Sequence, residues 1–165
     1  MQFSNKFVPC LWFDTQAEEA ARNYVGIFPG SKIGKIARYG KAGFEQHQKP
    51  EGAVMTVQFW LAGQEFTALN GGPHFKFNEA VSFQIMVEDQ KELDYYWEKL
   101  TEGGDPKSQV CGWLKDKFGL SWQVVPRVMV DWFGTPNESS ERVMTALMKM
   151  RKLDIAGLER AYQGA

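Results

Sequence analysis

The sequence predicts an α+β fold made of two pseudo-symmetric βαβββ modules, forming a curved mixed sheet around a cup. Three observations carry this. Residues 7–30, FVPCLWFDTQAEEAARNYVGIFPG, run through an apolar strand pattern, an acidic turn, a helical stripe and a closing Gly. Residues 81–104, VSFQIMVEDQKELDYYWEKLTEGG, repeat that order. Each stretch is followed by short alternating segments rather than by the strand–helix alternation of a doubly wound parallel sheet. The first module covers residues 1–72 and the second 73–165.

In the first module, apolar and aromatic residues crowd 7–13, and Asp14-Thr15 closes this strand. Asp14 or Thr15 is placed to cap a helix over 16–28, with Glu18 and Glu19 favourable in its first turn. Its stripe is Ala20, Ala21, Tyr24, Val25 and Phe28, and Phe28-Pro29-Gly30 stops it. Residues 31–40 alternate as a half-exposed strand, and the polar 41–51 form a loop. AVMTVQFWLA at 53–62 turns at Gly63-Gln64 into a strand at 65–70. GGPHFKFNEA at 71–80 links the halves.

The second module opens with a strand at 81–87 and a helix at 90–101. The helix carries Leu93, Tyr96, Trp97 and Leu100 on one face, and Gly103 and Gly104 end it. QVCGWLK at 109–115 and LSWQVVP at 120–126 pair as a hairpin across DKFG, where Gly119 supplies the positive φ of the turn. Residues 137–164 are helical, capped by Asn137 or Ser139/Ser140. Val143, Leu147, Met150 and Leu153 form the stripe, and Gly157 breaks the segment into two helices.

The 165 residues hold 19 basic and 20 acidic side chains without a long run of either sign. That is not the footprint of a nucleic-acid partner. No apolar run is long enough to span a bilayer, so no membrane partner is expected. The N-terminus lacks an apolar stretch followed by a small-residue cleavage site, so a cytoplasmic location is expected. Cys10 and Cys111 make neither a disulfide framework nor a C-x-x-C pair.

LNGGPHFKFNEAVSF, YYWEKLTEGG, CGWLKDKFGLSWQVVPRV and ALMKMRKLDIAGLERAY resemble the PhnB-like family, also labelled demethylubiquinone methyltransferase-like. The order of elements resembles the vicinal oxygen chelate superfamily of glyoxalase I, extradiol dioxygenases and bleomycin-resistance proteins. The resemblance runs over essentially the whole chain. It implies a homodimer with modules paired across a two-fold axis. In the superfamily's enzymes it also implies a divalent ion held by His and Glu from the first and last strands of each module. Here those strands offer Cys10, Glu65 or Asn70, Gln84, and Trp122 or Gln123. Only Cys10 and Glu65 are ordinary ligands, and a catalytic site usually takes three from the protein. His47 lies in the polar loop and His74 in the linker, both expected at the surface. No metal and no cofactor are therefore expected. Methyl transfer would need a Gly-rich loop opening a helix, yet Gly71-Gly72 precede Pro73 and Gly103-Gly104 follow a helix.

The candidates for the cup lining are Cys10, Trp12, Trp60, Asn70, Gln84, Trp113, Trp122 and Gln123. The tryptophans either form flat apolar walls for a planar ligand or simply fill a small barrel. Gln84 and Gln123 hold equivalent places in the two halves, and each needs a partner, the other glutamine or a ligand. Cys10 adjoins no histidine or carboxylate in sequence and is expected to be an inert buried thiol. The expected function is metal-free binding of a small, partly aromatic molecule. The alternative is a metal-dependent lyase, isomerase or dioxygenase-like enzyme. The homodimer finds support in Met144, Leu147, Met148, Met150 and Leu153, more apolar surface than one helix face requires. VMVDWFGTP at 128–136 is irregular enough to reach a partner.

Overall fold

The computed structural model describes residues 6–165. Its backbone divides into two compact units, one ending at Lys76 and one beginning at Phe77. The first holds β1 (Cys10–Phe13), α1 (Ala17–Ile27), β2 (Lys32–Arg38), a one-turn α2 (Phe44–His47), β3 (Val54–Leu61) and β4 (Gln64–Asn70). Its strands lie in the order β1-β4-β3-β2, with β1 parallel to β4 and the other pairs antiparallel. Because β1 and β2 occupy opposite edges, α1 has to cross the sheet between them. It buries Ala17, Ala20, Ala21, Tyr24 and Ile27. The sheet meets them with Leu11, Phe13, Val57, Phe59, Phe66 and Ala68, all buried. Tyr24 stacks over Phe59 at 6.4 Å, and Phe59 over Phe66 at 5.3 Å.

The start of α1 departs from the sequence expectation. Neither Asp14 nor Thr15 caps it. Gln16 holds the cap position without a side-chain hydrogen bond. The oxygen comes instead from the far end of the module, where Asn70 Oδ1 accepts from Ala17 N at 2.8 Å. A free helix N–H needs only a well-placed acceptor, and sequence neighbours hold no monopoly on it. Asn70 Nδ2 also donates to Val54 O at 3.1 Å, and Asn70 O accepts from Tyr39 Oη at 2.7 Å. One buried residue thus ties the end of β4 to the starts of α1 and β3 and to Tyr39, just past β2.

The second unit holds β5 (Phe83–Val87), α3 (Gln90–Thr101), a 3-10 turn (Pro106–Ser108), β6 (Trp113–Lys115) and β7 (Ser121–Pro126). Three helices follow: α4 (Met129–Trp132), α5 (Glu138–Leu147) and α6 (Ile155–Gln163). The strand order is β5-β7-β6, with β5 parallel to β7. This repeats β1-β4-β3 of the first unit, but among the described residues no strand takes the place of β2. The four residues of the predicted α3 stripe are all buried. Asp89 caps α3 by accepting from Glu92 N at 2.8 Å. Asn137 and Ser140 form a reciprocal capping box on α5. Gly119 has φ 84°, as its turn requires.

Three details differ from the sequence reading. The strand expected over 109–115 shrinks to Trp113–Lys115, because Cys111 and Gly112 adopt φ 50° and 83° and double the chain back, bridging Val110 to Trp113. Their N–H groups donate to Met150 O at 2.9 Å and Arg151 O at 2.8 Å, so the C-terminal segment docks here. The interruption between the last two helices falls before Ile155, and Gly157 lies inside α6. Residues 128–136 fold onto their own chain: Met129 and Trp132 are buried, and Trp132 stacks on Tyr162 at 5.3 Å. Gln90 fastens the same C-terminal segment, donating to Leu153 O at 3.1 Å and accepting from Ile155 N at 2.9 Å.

The β6–β7 turn is organised by Asp116, which is 4% exposed. Its carboxylate accepts from Phe118 N, Leu120 N and Trp122 Nε1 at 2.8, 3.1 and 2.8 Å. Asn70→Ala and Asp116→Ala each leave buried donors unpaired. Each is expected to lower unfolding stability by about 1–3 kcal/mol in urea titrations. An unchanged midpoint for either variant would refute its structural role.

Candidate functional site

Side chains on a strand alternate between faces, so covering one face with a helix leaves the other for chemistry. In the first unit the face away from α1 carries Cys10 and Trp12 from β1, Glu65, Thr67 and Leu69 from β4, and Thr56, Gln58 and Trp60 from β3. Two of its indoles are already settled. Trp12 Nε1 donates to Gly72 O at 2.9 Å, and its ring meets Phe75 edge-on at 4.9 Å. The ring also lies so close to Gly71 that a Cβ there has no room. Trp60 lies over Gly34, where a Cβ would come within 2.5 Å of the ring, and Lys32 Nζ sits 4.7 Å from its centroid. Between them Gln58 Nε2 donates to Glu65 Oε1 in a short bond, both residues being buried.

Cys10 pairs in register with Thr67 and is solvent-exposed as a residue, not buried as its sequence suggests. Enough protein surrounds its thiol to push the pKa upward by desolvation. Asn70 is a correction: it lies on the α1 side, committed to the backbone bonds described above. Trp122 is a second correction. It is 3% exposed, packs 5.7 Å from Phe83 and donates to Asp116, on the face shared with Leu114 and Val124. Neighbours on a strand point to opposite faces, so Trp122 and Gln123 lie on opposite sides of the sheet.

The open face of the second unit carries Gln84, Met86, Trp113, Lys115, Ser121, Gln123 and Val125. Gln84 and Gln123 are opposed in register, and Gln84 Nε2 donates to Gln123 Oε1 at 3.4 Å. Gln123 Nε2 donates in turn to Ser82 Oγ at 2.8 Å. The glutamines are thus one another's partners.

Next to Trp113 a cavity of about 520 Å3 opens, with Val110, Cys111, Leu114 and Met148 as further apolar lining. Its polar lining is Glu79, Lys107, Ser108, Lys115 and Ser121. Lys115 Nζ lies 2.5 Å from Glu79 Oε1. The hydrogen bond from Lys115 holds the Glu79 carboxyl below the usual carboxylate range. Ser121 Oγ has neither solvent contact nor a hydrogen-bond partner. Of the sequence candidates only Trp113 lines this cavity. A serine opening a strand and a methionine in a distant helical segment give no sequence signal that they share a wall with it.

No three His, Cys, Asp or Glu side chains gather into a metal-binding group among the described residues. At the paired first- and last-strand positions stand Cys10 with Thr67 and Gln84 with Gln123. A thiol, a hydroxyl and two amides do not fit a divalent His/Glu site. His74 is exposed. His47 accepts from Lys49 N at 2.9 Å, faces Ala42 O at 3.1 Å and lies 4.4 Å from the Tyr39 ring. No helix among the described residues is long and apolar enough to cross a membrane.

The two α+β units share one plan, a mixed sheet with a parallel first-to-last strand pair and a helix on one face. The chain belongs to the family described as 3-demethylubiquinone-9 3-methyltransferase, whose model matches residues 5–125. The PhnB protein from Bacillus cereus is 34% identical, with a TM-score of 0.62 over 74% of this chain and 99% of that one. A Pseudomonas aeruginosa protein shares the fold at 20% identity, with a TM-score of 0.57 over 74% of this chain and 98% of its own. A glyoxylase/bleomycin resistance protein/dioxygenase domain from Frankia sp. EAN1pec is 15% identical, with a TM-score of 0.43 over 74% and 91%. No curated protein matches the sequence. The family model stops before α4, so the family match is shorter than the whole-chain resemblance suggested.

The environment of Cys10 makes a pH prediction. A raised thiol pKa means less thiolate at any given pH. Iodoacetamide alkylation of Cys10, followed in a Cys111→Ser background, should therefore rise with a midpoint above the ordinary thiol value of about 8.5. A midpoint below that value would show an activated cysteine instead.

Proposed function

We propose that this chain is a binding protein for a small, partly aromatic molecule and works without a catalytic metal. The cavity beside Trp113 carries the reading. Its volume of about 520 Å3 falls in the range of roughly 300–1,000 Å3 typical of small-molecule sites. An indole wall among apolar neighbours suits a planar ligand. The donor set at the paired strand positions supports the metal-free half of the reading.

One observation favours a second reading, a metal-dependent lyase, isomerase or dioxygenase-like enzyme. Glu65 is a fully buried carboxylate on the same sheet face as Cys10. It would still need further ligands that the neighbouring strands do not supply. The methyl transfer in the family's description finds less support. The β1–α1 turn is Asp14-Thr15-Gln16 and the β5–α3 turn Glu88-Asp89, neither with the glycines that let a backbone wrap a cofactor.

Metal analysis of the purified protein separates the first two readings: sub-stoichiometric content is expected, and one equivalent of Fe, Mn, Ni or Zn would overturn the metal-free one. A thermal-shift panel of planar aromatic compounds should raise the melting temperature, because a ligand bound only by the folded state stabilises it. A panel without any shift would count against binding.

The homodimer is proposed on similar grounds. Val130 and Met144 are 60% and 43% exposed on the C-terminal helices, apolar surface that a second copy would cover. Light scattering at micromolar concentration should give twice the 18.8 kDa of one chain, and Met144→Lys should shift it toward monomer. A wild-type mass near one chain would end the dimer proposal.

A further inference from the structure

Two features of the second unit's cavity go beyond what an apolar ligand requires. The first is Ser121. A buried hydroxyl left without a partner destabilises a fold, and native structures seldom keep one without a use. Ser121 Oγ is such a group, with no accessible surface and no partner, and Ser121 lines the cavity. The second feature stands directly across the β6–β7 ladder, where Lys115 opposes Ser121. Opposed residues of an antiparallel pair project to one face about 5 Å apart. Ser121 and Lys115 thus stand side by side on the cavity wall.

Lys115 now pairs with Glu79, whose side chain is 62% exposed against 26% for the lysine. An ion pair this open to water is weakly held. Glu79 is ionised at neutral pH and acts as a replaceable counter-ion: an anion arriving with its own apolar body can take its place. Lys107 adds a second ammonium to the lining, so the wall favours negative charge over none. Trp113 and Met148 offer a flat and a pliable apolar surface for the rest of the ligand.

We propose, building on the small-molecule reading above, that this cavity takes a planar aromatic carboxylate. Its ring lies against Trp113 and Met148. Its carboxylate accepts hydrogen bonds from Ser121 Oγ and Lys115 Nζ in place of Glu79.

Calorimetric titration of the full chain with 2-naphthoate and with the neutral 2-naphthalenemethanol tests this. The carboxylate should bind at least about tenfold tighter than the alcohol, as charge-assisted hydrogen bonds require. Ser121→Ala and Lys115→Gln should each weaken naphthoate by about tenfold and leave the alcohol within about twofold. The unliganded Ser121→Ala protein should melt at or above the wild-type temperature, because the hydroxyl it loses has no partner to abandon. Equal affinity for the two probes would overturn the carboxylate assignment while leaving aromatic binding in place. Failure of both probes to bind would overturn both. A Ser121→Ala protein that melts well below wild type would show a structural hydroxyl and refute its role toward a ligand.

Discussion

Each sheet has two faces, and in both units a helix claims one of them. The stripe of α1 and the stripe of α3 repeat every three to four residues, and both must find an apolar surface. The strands repeat every two, so they offer that surface on one side only. Once Tyr24 meets Phe59, or Leu93 sinks beneath β7, every residue of opposite parity is sent to the other side. Cys10, Trp12, Gln58 and Glu65 face together for this reason, as do Gln84, Lys115, Ser121 and Gln123. The register pairs Cys10–Thr67 and Gln84–Gln123 are the same point of the two repeats.

That constraint also explains what was legible in the sequence. The helix read at 90–101 is found at Gln90–Thr101, and the one read at 16–28 at Ala17–Ile27, because their stripes are long and regular. The repeat itself was visible for the same reason. Trp122 and Gln123 are neighbours on one strand and point to opposite faces, and Asn70 shares its parity with Phe66 and Ala68 on the helix side. The cap of α1 was invisible, since its acceptor lies fifty-three positions away and only the folded sheet brings it near. The turn at Cys111 and Gly112 hid inside an apolar run, where a non-glycine residue at positive φ gives no warning.

The two units have spent their open faces differently. In the first, glycines at 34 and 71 let the Trp60 and Trp12 rings lie down on the backbone, and the surface is largely closed. In the second, no strand among the described residues corresponds to β2. Lys107, Ser108, Val110 and Cys111 come from the irregular segment found there instead, and they frame the cavity.

The docking of the C-terminal segment has a consequence for the cavity wall. Its anchor is main chain: Cys111 and Gly112 donate to the carbonyls of Met150 and Arg151, bonds indifferent to which side chains those positions carry. The segment lies beyond the stretch the family holds in common, yet it delivers Met148 to the cavity wall. A change at Met148 alters the cavity wall without touching a strand pairing.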